Sequence, residues 1–150
     1  MKNLPVQIEV VSRPRWMIVD DNKDILSLMR GIIAKFVDAD TQCFQSPHAA
    51  LATFAAAPEA VDFVITDLEM PGMSGIELGD RLRKLSPSLK VLLSTGNEIL
   101  TDGEAAQKGF CGLLRKPFPF AALRNALVAA GILEVPVENK SEQFQVLTAA

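Results

Sequence analysis

Two cysteines, Cys43 and Cys111, and a single histidine, His48, are all the soft donors this chain has, and they stand at scattered positions. A zinc site of Cys and His cannot be assembled from them, so any bound metal must be held by oxygen. Both cysteines lie inside apolar stretches, and Met1-Lys2-Asn3-Leu4-Pro5 lacks the apolar run of a secretory signal. The expectation is free thiols in a reducing cytoplasm. Long hydrophobic runs are missing too: the stretch from Leu127 to Val137 is interrupted by Gly131, Glu134 and Pro136, well short of the ~20 apolar residues that cross a bilayer. No membrane insertion is expected. A basic excess is also absent, with 15 Lys and Arg against 18 Asp and Glu, a net charge of −3 and a pI near 5.2, so direct contact with nucleic acid is not expected. What remains is 150 residues, 49% hydrophobic and 22% charged, the balance of one soluble globular domain with no room for a second.

Short apolar runs rich in β-branched residues alternate with longer stretches whose apolar residues recur every three or four positions. The expected strands are Trp16 to Val19, Thr41 to Gln45, Asp62 to Thr66, Lys90 to Ser94 and Cys111 to Leu114. Three are continuously apolar, as strands covered on both faces should be. Between them, Ile25, Leu26, Leu28, Met29, Ile32, Ile33 and Phe36 line one side of a first helix. Ser46-Pro47 opens a second that Pro58 ends, and Ser74 caps a third with Ile76, Leu78, Leu82 and Leu85 inward and Arg81, Arg83 and Lys84 solvated. Thr101 or Asp102 caps a short fourth, closed near Gly109; the fifth runs from about Phe120 to Ala130, with Gly131 as terminator. The pattern is α/β, a (βα)5 parallel sheet with crossover helices. Val6, Ile8 and Val10 alternate like an edge strand or a frayed terminus, and Ser141 can cap a short helix through Phe144 and Leu147.

Ligands of such sheets bind beyond the carboxyl ends of the strands. There the chain places Asp20, Asp21 and Asn22 after the first strand, Asp67 after the third, Thr95 and Gly96 after the fourth, and Arg115, Lys116 and Pro117 after the fifth. Crowded carboxylates call for a cation, and Mg²⁺ suits one or two carboxylates plus waters and phosphate oxygens. A carboxylate held there can attack phosphorus and become an acyl phosphate, with Thr95 and Lys116 stabilising phosphoryl oxygens. Each residue also has a plain structural reading: helix capping for Asp20 to Asn22, a turn for Asp67 with Pro71-Gly72, a β-former for Thr95, a solvated charge for Lys116. Capping does not require acid, acid, hydroxyl and ammonium at the ends of strands one, three, four and five. His48 reads as ordinary surface and the two cysteines as core.

From about Arg15 to Ala130 the chain resembles the receiver domain of two-component response regulators. The residues that carry the resemblance are Asp20-Asp21, Thr66-Asp67-Leu68-Glu69-Met70-Pro71-Gly72-Met73-Ser74-Gly75, Ser94-Thr95-Gly96 and Lys116-Pro117-Phe118, in the family's order and close to its spacing. The resemblance implies a flavodoxin-like, doubly wound sheet of strand order 2-1-3-4-5. It implies Asp67 as phosphoacceptor, Asp21 and Asp67 as direct Mg²⁺ ligands, Asp20 acting through water, the Glu69 carbonyl as a further ligand, and a cis Lys116-Pro117 bond. The implied partners are a histidine kinase or phosphotransfer protein and an unidentified effector protein, since the residues after the fifth helix are too few for a helix-turn-helix output domain. The expected division is an extension over 1–14, a receiver over 15–131 and a tail over 132–150. Two departures stand out. Leu113 occupies the position, three before the lysine, where receivers usually carry Tyr or Phe, and Gly96 follows the threonine where many have alanine. Competing readings are a Mg²⁺-dependent phosphohydrolase with an aspartate nucleophile, of the haloacid dehalogenase type, and a receiver kept as scaffold or phosphate sink.

Overall fold

The computed structural model describes residues 13–134. The edge-strand and tail-helix expectations, over residues 6–10 and 141–147, lie outside the described residues. Five strands alternate with five helices: β1 (Arg15–Val19), α1 (Lys23–Ile33), β2 (Asp40–Phe44), α2 (Pro47–Ala56), β3 (Phe63–Asp67), α3 (Gly75–Leu85), β4 (Lys90–Thr95), α4 (Asp102–Gln107), β5 (Gly112–Arg115) and α5 (Phe120–Ala129), with a 3₁₀ turn at Pro58–Ala60. All pairings are parallel and the order is β2-β1-β3-β4-β5, the expected (βα)5 flavodoxin-like sheet with its reversal between β1 and β3. Every residue of central β3 is buried, whereas edge strands β2 and β5 are mostly half-buried. This explains why the central strands are continuously apolar in sequence and the edge strands are not.

Each face of the sheet carries its own core. Met17, Val19, Phe54, Val64, Leu78, Leu82, Val91, Leu93 and Phe110 pack beneath α2, α3 and α4. Trp16, Ile18, Leu26, Met29, Phe63, Ile65, Leu92, Leu114, Leu123 and Leu127 pack on the face covered by α1 and α5, with Trp16 edge-on to Phe63 at 5.1 Å between ring centroids. Alternation along each strand sends successive side chains to opposite cores.

Helix starts follow capping chemistry. Asn22 Oδ1 accepts from the Asp24 and Ile25 amides, Ser46 Oγ from Ala49 and Ser74 Oγ from Glu77. Of the two candidates for α4, Thr101 is the cap: its Oγ1 accepts from the Glu104 amide at 3.1 Å and donates to the Glu104 carboxylate. Gly109 and Gly131 have φ of +89° and +75°, the left-handed turn that ends α4 and α5 at little cost only for glycine.

Several expected side-chain placements change. α1 stops at Ile33, so Phe36 lies beyond it against Phe120 at 4.3 Å. Leu28 and Leu85 are exposed rather than inward, because each stands at the margin of a stripe whose centre is filled by Leu26, Met29 and Ile33, or by Leu78 and Leu82. Arg83 is not a solvated charge: its guanidinium lies over the Phe110 ring at 4.3 Å and donates to the Lys108 and Gly109 carbonyls. Cys43 and Cys111 are half-buried and free, and burial pushes both thiols up. Among the described residues no helix is long and apolar enough to cross a membrane.

Candidate functional site

Ile18, Ile65 and Leu114 all point into the α1/α5 core. Two residues further along each strand, on the same face, come Asp20, Asp67 and Lys116. Lys116 reaches back across the sheet edge, and its Nζ donates to Asp20 Oδ2 at 2.7 Å and lies 3.3 Å from Asp67 Oδ1. Asp20 is held from its other oxygen as well, Oδ1 accepting from the Asn22 amide at 2.9 Å. The Lys116-Pro117 bond that turns the chain here is cis. Asp21 is exposed beside them, and one carboxylate oxygen from each of Asp20, Asp21 and Asp67 lies within 4.8 Å of the others.

Asp20 is 1% exposed and Asp67 7%. Burial pushes the Asp67 carboxyl above the usual carboxylate range. The Lys116 ammonium pulls it down, but the Asp20 charge adds to the rise. Burial alone would lower Lys116, yet its hydrogen bond and ion pair with Asp20, joined by Asp67, leave it raised. Three carboxylates against one ammonium leave an excess of two negative charges at an edge of hard oxygen donors. That set fits Mg²⁺, a hard dication that takes carboxylates and keeps several waters.

Thr95 ends β4 one residue past Ser94, the register partner of Asp67. It is buried, and its Oγ1 accepts from the Asn97 amide at 2.9 Å, so the hydroxyl is engaged in its own loop. Glu69 is exposed in the loop after β3, and its backbone amide adds a small pull that lowers the Asp67 carboxyl. Leu113 is half-buried against the α2–α4 core. The structure thus brings Asp20, Asp21, Asp67 and Lys116 together, and turns Thr95 toward its own strand's loop.

Three supporting residues escape a reading based on chemistry-bearing side chains. Asn22 both caps α1 and donates its amide to Asp20. A Cβ at Gly75 would sit 2.1 Å from the Asp67 carbonyl oxygen, so α3 begins in direct contact with the backbone of Asp67. Ser94 Oγ is buried without a hydrogen-bond partner in the same row as Asp67. All three had a sequence signal, Asn22 in the capping triplet after β1, Ser94 in the Ser-Thr-Gly string and Gly75 as the last residue of the Pro-Gly-Met-Ser-Gly string after Asp67, but residue type did not record these contacts.

Residues 16–128 match the response regulator receiver domain. The chain belongs to that family. Among curated relatives it is 31% identical over 106 residues to the C4-dicarboxylate transport transcriptional regulatory protein DctD of Rhizobium meliloti, covering 70% of this chain and 22% of that protein. It is 29% identical over 112 residues to the sporulation initiation phosphotransferase F of Bacillus subtilis, covering 74% and 88%. The chain therefore spans about a fifth of the first relative and most of the second. A response regulator receiver domain protein from Clostridium thermocellum superposes with a TM-score of 0.71 at 25% identity, covering 87% and 98%. The response regulator TrrA from Thermotoga maritima, solved in complex with Mg²⁺ and a beryllium fluoride, gives 0.68 at 25% identity, covering 78% and 98%. Receiver membership, with the acidic cluster at the ends of β1 and β3, makes this a phosphoacceptor site rather than the active site of a phosphohydrolase.

Proposed function

We propose that Asp67 accepts a phosphoryl group from the phosphohistidine of a histidine kinase or phosphotransfer protein, and that the modified receiver signals by binding or releasing an effector protein. The observation that carries this reading is the Lys116 ammonium held between two buried carboxylates from separate strands, at 2.7 and 3.3 Å. Asp21 and Asp67 with the Glu69 carbonyl would hold Mg²⁺ directly, and Asp20 through water. When bound, the metal supplies charge neutralisation for the carboxylates and the phosphoryl oxygens. An Asp67 oxygen forms the new P–O bond as the donor P–N bond breaks; the imidazole keeps the electron pair and takes a proton from solvent. Lys116 exchanges a carboxylate for a phosphoryl oxygen, and the Thr95 hydroxyl leaves the Asn97 amide to donate to another.

Kinship to a sporulation phosphotransferase and to transcriptional regulators supports phosphorelay partners, and the free thiols support a reducing cytoplasm. The receiver unit is assigned to 15–131, with 1–14 and 132–150 outside it, in line with the matched span. Leu113, in place of the usual aromatic, favours one second reading, a scaffold or phosphate sink. The test is incubation with acetyl phosphate and Mg²⁺. Wild type should gain one hydroxylamine-labile phosphate and Asp67→Asn none; undiminished labelling of the mutant overturns the assignment. Effector capture that is indifferent to beryllofluoride would favour the scaffold.

A further inference from the structure

The loop between β4 and α4, residues 96–101, is organised around Asn97. Its amide donates to Thr95 Oγ1 at 2.9 Å, its side-chain Oδ1 accepts from the Ile99 amide at 2.9 Å, and its carbonyl accepts from Arg115 Nη1 at 3.4 Å. The same guanidinium donates through Nη2 to the Leu100 carbonyl at 2.7 Å. Arg115 is the β5 register partner of Thr95, and it stands two residues past Leu113 on the same face of the strand. Leu113 itself packs against the α2–α4 core and carries no polar group that could follow a hydroxyl. One planar fork therefore grips both halves of the loop that begins at Thr95.

We infer that Arg115 is the positioning residue that transmits the state of Thr95 to the 96–101 loop, in the role that Leu113 cannot fill. The inference rests on the phosphoacceptor reading above. While Thr95 accepts from Asn97, the loop is closed at both ends, by the hydroxyl and by the guanidinium. When the Thr95 side chain rotates to bring its hydroxyl proton to a phosphoryl oxygen, Oγ1 moves away from the Asn97 amide, and the polar hold on the segment passes to Arg115, with Leu100 still seated in the core. The fork couples the Asn97 and Leu100 carbonyls, so the loop shifts as one piece instead of fraying. Gly96 has nothing within 4 Å of where a Cβ would stand, so the pivot is unobstructed. The moving piece carries Ile99, an apolar side chain 81% exposed, so an effector that reads the state would meet an apolar contact there. The two states differ by which partner the Thr95 hydroxyl has, which supplies the differential contact that a population shift needs.

The test is amide hydrogen exchange of residues 96–101 with Mg²⁺ alone and with Mg²⁺ and beryllofluoride, in wild type and in Arg115→Met, which keeps the apolar stem and removes the donors. Fluorine NMR of the same samples reads beryllofluoride binding at Asp67. Wild type should show a state-dependent change in loop exchange. Arg115→Met should bind beryllofluoride within about threefold of wild type, exchange the loop roughly tenfold faster in both states, and lose the difference between them. Should Arg115→Met fail to fold, Arg115→Lys, a single-point donor that cannot bridge two carbonyls, should shrink the difference by at least half. A state difference that survives intact in the folded variant overturns the lever while leaving the phosphoacceptor reading in place. Failure of wild type to bind beryllofluoride overturns that reading, and the lever with it.

Discussion

Asp67 sits where ionisation is unfavourable to the folded chain, and this sets a cost on the site when no metal is present. Its raised pKa means the folded protein binds a proton there more readily than the unfolded one does. The resulting destabilisation is full above the folded pKa, shrinks as pH falls through it, and is gone below the ordinary carboxylate value. Asp67→Asn should therefore melt higher than wild type at neutral pH without Mg²⁺, and the gap should close on acidification. Lys116 has the opposite sense: its contribution is present below the ordinary lysine value and is lost as pH climbs through its raised folded value. Paired melting curves across pH check both signs. At this scale the site was largely legible in sequence. An acid, a hydroxyl and an ammonium at strand ends have few structural reasons to coincide, so Asp20, Asp21, Asp67, Thr95 and Lys116 stood out. Asn22 and Arg115 were visible only as strand-end neighbours, with capping for Asn22, because their further work is done through a backbone amide or toward backbone carbonyls, and side-chain type alone carries no record of that.

The elements themselves were legible wherever local chemistry decides them. Ser46-Pro47, Ser74 and Gly131 each mark a helix end through their own cap or backbone preference, and the structure places the ends there. Strand limits moved by a residue or so because register with a neighbour decides them: Asp67 joins β3 since it pairs with Ser94. Least legible was the role of charges on helix faces. In α3, Arg81 bonds only Glu77 on the exposed surface, whereas Arg83 covers Phe110 and closes the end of α4. Both read alike in sequence. Arg83→Ala should cost about 1–2 kcal/mol through the lost ring contact and the two freed carbonyls, and Arg81→Ala less than ~0.5 kcal/mol. Urea unfolding of the two variants measures the contrast, and equal losses would mean that the Phe110 contact contributes nothing.

For the whole molecule, the sheet divides the core into two layers, and the acidic site lies along the carboxyl edge of the sheet. A cation bound there ties β1 to β3 in the folded state alone. Mg²⁺ at ten times its dissociation constant should therefore stabilise the protein by about 1.4 kcal/mol, seen as a rise of ~3 °C in melting temperature. Asp21→Ala, which removes an exposed ligand without disturbing either core, should abolish most of that rise while leaving the metal-free melt within ~1 °C of wild type. An undiminished rise in this variant would remove Asp21 from the ligand set.

Trp16 is the chain's single tryptophan, and there is no tyrosine. Its indole is 3% exposed against Phe63 near the start of β1, about 13 Å along an extended strand from Asp20. The protein thus carries an optical probe that belongs to the packed interior and stands apart from the reacting edge. Emission should shift to the red on unfolding and stay unchanged when Mg²⁺ or beryllofluoride is added. A titration of the native protein would then be silent in this channel, while a denaturation curve followed by it would report integrity of the α1/α5 layer, with occupancy of the site entering only as a shift of the midpoint.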